Sequence, residues 1–213
     1  MYTRKRQMFY TQHAVRKIYD ADRIGIVGFK ETGFVIARPA EAYSPWLQER
    51  TSNLYDKATG KGTNITDGLR KSIEMLRKTP IGVLRRIYLL TDGIPNREEE
   101  ELMPTVENAR RAWININTCG FGDDYDKDLL QKIASSTHNG KFIPIESLRQ
   151  LTDVLISDKN EGGNNRHKHR SETTIFAVDF SQSMQDRMED KSKIEVVEEA
   201  ILRLLLYKQK CFS

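Results

Sequence analysis

The sequence predicts an α/β protein built on a mostly parallel central sheet, with one antiparallel strand at an edge and helices on both faces. Three observations carry that expectation. Short apolar runs alternate with amphipathic helical patterns from Ile24 to Ile156, the order that lays down a parallel sheet covered by helices. Runs such as Ile24 to Phe29 show no polar alternation, which is the pattern of strands buried on both faces. The most apolar of them, Ile175-Phe176-Ala177-Val178, stands near the far end of the chain and stops at Asp179.

Taken in order, residues Arg4 to Tyr19 predict a helix, with Met8, Thr11, Val15 and Ile18 on one face and basic residues on much of the other. Ile24 to Phe29 follows as a buried strand. Lys30-Glu31-Thr32-Gly33 is a tight turn, and Phe34 to Ala37 is a short strand pairing back to make a hairpin. A surface connection follows, with one helix near Pro45 to Leu54. Gly60-Lys61-Gly62-Thr63-Asn64-Ile65-Thr66-Asp67 is a glycine-rich loop leading into a helix over Gly68 to Arg77, with Thr66 or Asp67 expected as its cap. Arg85 to Leu90 is the next strand, ending in Thr91-Asp92-Gly93. The acidic run Arg97 to Glu101 is expected on the exposed first part of a helix, where negative charge suits the dipole.

Ile114 to Gly122 reads as a strand running into a loop. The aspartates at 123, 124, 126 and 128 lack the mid-loop Gly and closing Glu of an EF-hand, so they are read as helix capping. Gly140 to Ile145 is a strand placed at the sheet edge by Pro144, and Leu148 to Ile156 is a helix. Residues 157–173 are polar, with Gly162-Gly163 and Arg166-His167-Lys168-His169-Arg170, and predict a flexible basic linker. Beyond the strand at Ile175, Lys193 to Lys208 forms a last helix with Ile194, Val197, Ile201, Leu204 and Leu205 inward.

Composition narrows the function classes. Across 213 residues, 38% hydrophobic and 30% charged residues describe a globular protein with a well-charged surface. Thirty-four basic against 30 acidic residues is a mild excess, so no nucleic-acid partner is expected. Cys119 and Cys211 make neither a disulfide framework nor a zinc cluster. No apolar run approaches the roughly 20 residues of a membrane span. The basic start is followed by no apolar stretch that would make a signal peptide. A cytoplasmic location is expected if the chain is complete.

Chemistry concentrates where strands end. Asp179, Ser181 and Ser183 put three oxygen side chains into one short loop behind a buried strand. Open α/β sheets carry their ligands there, outside the carboxyl ends of the strands. Oxygen donors without His or Cys suit Mg²⁺ or Mn²⁺ rather than Zn²⁺. Asp92, at the end of another strand, again brings a carboxylate to that edge.

Three separated pieces, Asp179-x-Ser181-x-Ser183, the Gly62-Thr63-Asn64-Ile65 loop before a helix and Thr91-Asp92-Gly93 after a strand, together resemble the von Willebrand factor A (VWA) domain and its metal-ion-dependent adhesion site. The resemblance extends over nearly the whole chain and includes Asp22 to Phe29 and Gly120 to Tyr125. It implies a Rossmann-like fold. It also implies that Ser181 and Ser183 coordinate a metal directly, that Asp179 and Asp92 act directly or through water, and that Thr63 joins from the second loop. The implied cofactor is Mg²⁺, with Mn²⁺ or Ca²⁺ as alternatives. The implied partner is a protein presenting an Asp or Glu to an open coordination position.

One departure is order. In the family the Asp-x-Ser-x-Ser strand comes first and lies mid-sheet, whereas here it comes last. Residues 1–156 therefore read as a VWA body lacking its first strand, and residues 174–213 as a first strand, metal loop and first helix. Either the chain is a circular permutation or it is a window from a tandem VWA protein. The Ile175 strand is expected to fill the slot between the Ile24 and Ile87 strands, because an empty slot leaves backbone groups unpaired. A linker of about 17 residues spans roughly 50 Å fully extended, ample for closure within one chain. Exchange with a second copy is the alternative.

The function expected is a metal-dependent protein-binding module and not an enzyme. A Mg²⁺-dependent phosphotransferase or hydrolase using Asp179 as nucleophile is a second reading. It meets the difficulty that Ser181 stands where an acid/base Asp is usual. A third is a structural assembly domain with a vestigial metal site.

Overall fold

The computed structural model describes residues 22–157 and 171–212. The helix expected over residues 4–19 and most of the linker lie outside the described residues. Strands β1 (Arg23–Phe29) and β2 (Gly33–Glu41) form the hairpin. Helices α1 (Pro45–Thr51) and α2 (Ile65–Arg77) lead to β3 (Leu84–Thr91), then α3 (Leu102–Arg111), β4 (Ile114–Phe121), α4 (Lys127–Ser135), β5 (Phe142–Ile145) and α5 (Leu148–Ser157). After residues 158–170 come β6 (Glu172–Asp179), a small hairpin of β7 (Arg187–Met188) and β8 (Lys191–Ser192), and α6 (Lys193–Phe212).

The main sheet has the order β2-β1-β6-β3-β4-β5. Only β2 runs antiparallel to its neighbour, and the other pairings are parallel. The late strand β6 thus lies between β1 and β3, with Phe176 opposite Ile26 on one side and Tyr88 on the other. Every residue of β6 is buried, which is why its apolar run shows no alternation.

Side chains of β6 still alternate between two cores, as strand geometry requires. Phe176 and Val178 point to a core made with Leu151 and Leu155 of α5 and Ile194, Val197, Ile201 and Leu204 of α6. Ile175 and Ala177 point to a second core with Leu69 and Ile73 of α2, Val106 of α3 and Ile133 of α4. Phe176 stacks on Tyr88, ring centroids 5.6 Å apart. Among the described residues no helix is long and apolar enough to cross a membrane.

Several boundaries differ from the sequence expectation, each for a local reason. Strand β6 begins at Glu172, so Glu172 and Thr173 belong to the sheet and not to the linker; they pair with Leu84, Arg85 and Arg23. Helix α2 begins at Ile65, and its cap is Asn64, whose side-chain oxygen accepts from the Asp67 N–H. Thr66 donates to the Glu98 carbonyl and Asp67 accepts from the Gly33 N–H, so both expected caps are engaged elsewhere. Helix α1 stops at Thr51, before Asn53 takes a left-handed φ of 65°. Strand β2 continues past Ala37 through Pro39, which an edge position allows. Asp126 caps α4 through the Leu129 N–H, in line with the capping reading of that acidic segment. The β7–β8 hairpin has too few residues to leave a pattern in the sequence.

Candidate metal centre

The carboxyl ends of β6 and β3 lie side by side, and the loops behind them meet the loop that precedes α2. A web of backbone bonds fixes this meeting. Phe180 N–H donates to the Phe29 carbonyl, Gly60 N–H to the Phe180 carbonyl, and Gln182 N–H to the Gly60 carbonyl. A Cβ on Gly60 would stand 2.3 Å from Lys30 Cβ, so the close approach of this loop needs glycine. Thr63 is pinned from the other side. Its N–H donates to Asn96 Oδ1 at 3.0 Å, while the Asn96 N–H donates to the Thr63 carbonyl at 3.2 Å.

Within that frame the five residues singled out in the sequence converge. Asp179 is fully buried; its Oδ2 accepts from Thr91 Oγ1 at 2.6 Å and its Oδ1 from the Ser181 N–H at 2.8 Å. Ser181 Oγ and Ser183 Oγ are 3.1 Å apart. Ser183 Oγ donates to Asp92 Oδ1 at 2.9 Å, joining the β6 loop to the β3 loop. Gly93 closes the circle: a Cβ there would stand 3.2 Å from Thr63 Oγ1 and 3.7 Å from Asp179 Oδ2. The missing side chain at Gly93 leaves a cradle onto which the Thr63 hydroxyl and the Asp179 carboxylate both open.

The electrostatics of the two carboxylates differ. Among the described residues Asp179 has hydroxyl and N–H donors but no cationic partner. Burial pushes its pKa up to about 7, against the opposing pull of Thr91 and Ser181, and the charge of Asp92 adds to the rise. Asp92 is equally buried, but its Oδ2 accepts from Lys193 Nζ at 2.6 Å.

Thr91, Asn96 and Lys193 also touch the candidate site, and none of them takes a role of its own from the sequence alone. Lys193 did leave a signal. It is the first residue of α6, where the helix dipole disfavours a cation, and such a placement calls for a specific anionic partner.

The donor set fits a hard divalent cation. Among the described residues no three His, Cys, Asp or Glu side chains converge, so the oxygens come from two carboxylates supplemented by hydroxyls. Neutral hydroxyl and carboxylate oxygens suit Mg²⁺, Mn²⁺ or Ca²⁺ and not a soft metal. A buried carboxylate without a counter-charge gives the cation a reason to bind.

Residues 10–156, well over half of the chain, match the profile of the von Willebrand factor type A domain. The chain belongs to that family. VWA domains are generally protein–protein interaction modules, often metal-dependent and typically non-enzymatic. The matched span ends before β6, so Asp179, Ser181 and Ser183 lie outside it. An uncharacterized protein of Synechocystis sp. is 24% identical over 157 residues, covering 72% of this chain and 37% of that protein. Inter-alpha-trypsin inhibitor heavy chain H3 of Rattus norvegicus is 34% identical over 85 residues, covering 36% of this chain and 10% of its own length. Among solved structures, a von Willebrand factor type A protein from Catenulispora acidiphila aligns with a TM-score of 0.52 at 19% identity, over 59% of this chain and 30% of that one. That likeness concerns the fold. The chain spans about a third of the Synechocystis protein and a tenth of the inhibitor heavy chain.

Proposed function

We propose that this VWA domain binds a divalent cation, Mg²⁺ in the first instance, and through it an acidic side chain of a partner protein. One observation carries the reading. Five oxygen-bearing side chains, Asp179, Ser181, Ser183, Thr63 and Asp92, come from three distant stretches to one edge of the sheet, around a buried carboxylate with no counter-charge among the described residues. Asp179, Ser181, Ser183 and Thr63 would hold the cation, with Asp92 supplying charge at its side. The cation would supply a Lewis-acidic position for an incoming Asp or Glu. In the enzymatic alternative residue 181 would have to move a proton, yet Ser181 offers a hydroxyl where such a step needs a group that titrates near neutral pH.

The order of elements accompanies this function. We read residues 1–157 as the body of the domain, residues 158–171 as the connection and residues 172–213 as the segment that completes it, with closure inside one chain. The family match over residues 10–156 and the seat of β6 between β1 and β3 support that reading. Titration calorimetry with Mg²⁺ tests the metal site. Saturable binding at one site per chain is expected, abolished in Asp179→Ala. Absence of metal-dependent heat in the unaltered protein, with no shift in its melting temperature, would overturn the proposal.

A further inference from the structure

Lys193 is a fixed cation beside the proposed metal site. Its Nζ lies 2.6 Å from Asp92 Oδ2, and its side chain is 9% exposed. The other oxygen of Asp92 accepts from Ser183, so both oxygens are engaged. The start of α6 is held firmly: Ser192 N–H and Oγ both donate to Glu195 Oε2, the Glu195 N–H donates back to Ser192 Oγ, and the Lys193 N–H donates to the Asp186 carbonyl. The far end of the side chain runs past Gly122, where a Cβ would stand 3.6 Å from Cε.

We infer that Lys193 couples the metal to the partner: it weakens the site's hold on the cation alone and strengthens it once a carboxylate has arrived. The inference rests on the metal reading above and follows from charge. With the divalent cation bound, Asp179 and Asp92 carry two negative charges, and Lys193 cancels one. The loaded site is therefore left at +1, a buried positive charge that an incoming carboxylate neutralises. With a neutral residue at 193 the loaded site is already neutral before the partner arrives.

The other charges nearby are exposed and screened by solvent, so they weigh little against this sum. Lys193 forms one wall of a cavity of about 350 Å³ whose other charged residues are Arg187, Asp123 and Glu146. Arg187, Asp123 and Glu146 sum to −1 and all three are exposed, so the buried cationic charge beside the metal loops is that of Lys193. By linkage, whatever factor the carboxylate adds to metal affinity, the metal adds to carboxylate affinity. Lys193 thereby makes the unliganded metal site weak and the ternary complex tight.

The test compares the unaltered chain with Lys193→Met, Lys193→Gln and Lys193→Arg. Mg²⁺ is titrated by calorimetry in chloride and in acetate at equal ionic strength, and circular dichroism confirms folding. Gln keeps a hydrogen-bond donor for Asp92 without the charge, so it serves if the Met variant does not fold. Both neutral variants should bind Mg²⁺ about tenfold more tightly in chloride, within the 5–150-fold range usual for coupled sites. They should also lose most of the gain that acetate gives the unaltered chain. Lys193→Arg should behave as the unaltered chain. Neutral variants that bind Mg²⁺ no more tightly than the unaltered chain, or that keep the full acetate effect, would overturn the role of Lys193 while leaving the metal site standing. Absence of Mg²⁺ binding in all four proteins would instead remove the metal reading on which it rests.

Discussion

The two ends of β6 solve the same electrostatic problem in opposite ways. At the amino end, Asp22 is buried and accepts from Lys208 of α6 through Oδ2 and from the Glu172 N–H through Oδ1 at 3.1 Å. Glu172 is likewise buried, with Arg86 3.4 Å away and Thr174 Oγ1 donating at 2.6 Å. Each carboxylate at that end has a cation of its own. At the carboxyl end, Asp179 has only hydroxyl and N–H donors among the described residues, and the single cation present serves Asp92. The amino end is therefore electrostatically closed, a clamp that ties the last helix and the late strand to the beginning of β1. The carboxyl end is open and has charge left for a ligand.

If that contrast is real, removing charge should have opposite effects at the two ends. Lys208→Met should produce the largest loss, about 3–5 kcal/mol in denaturant unfolding, because it strands Asp22 in the interior. Adding Asp22→Asn to it should recover much of that loss, since the amide oxygen can still accept from Glu172. A double variant no better than the single would show that the ion pair is not the clamp.

At the other end, Asp179→Asn measured in a chelator should raise stability, by about 1–3 kcal/mol, because it removes the burial cost that lifts the carboxyl to about 7. The same substitution should abolish stabilisation by Mg²⁺. A loss of stability in the chelator would mean that the carboxylate is already satisfied by its Thr91 and Ser181 donors.

A smaller effect sharpens the account of how Lys193 is held. Glu195 is kept below the usual carboxylate range chiefly by the Ser192 N–H and hydroxyl. A depressed acid contributes stability that is complete above its unfolded value, about 4.3. That contribution fades as pH falls through the lower folded value. Ser192→Ala should cost about 1 kcal/mol at pH 7 and should flatten the fall in melting temperature below pH 4. An unchanged acid limb would place that fall on other carboxylates.

Much of this architecture was legible in the chain. The four apolar residues from Ile175 to Val178 announce a strand buried on both faces, and an otherwise incomplete parallel sheet has one natural place for it. Asp179, Ser181, Ser183, Thr63 and Asp92 are legible only as a set, because three short pieces that are each weak alone together resemble the metal-ion-dependent adhesion site of the family. What escaped depends on contacts between distant stretches. Glu172 and Thr173 look like linker, and only their pairing with Leu84, Arg85 and Arg23 makes them strand. Asn64 rather than Thr66 caps α2 because Thr66 and Asp67 are drawn to Glu98 and Gly33. A cation at the start of α6 hints at an anionic partner, but only the fold identifies that partner as Asp92, 101 positions away.

Counting bound Mn²⁺ by electron paramagnetic resonance tests the difference between the two ends most directly. The unaltered chain and the Asp22→Asn/Lys208→Met double variant should each bind one Mn²⁺ displaceable by Mg²⁺, and Asp179→Ala should bind none. Binding retained in Asp179→Ala, or absent from the unaltered chain, would contradict the claim that the carboxyl end of β6 is the metal centre.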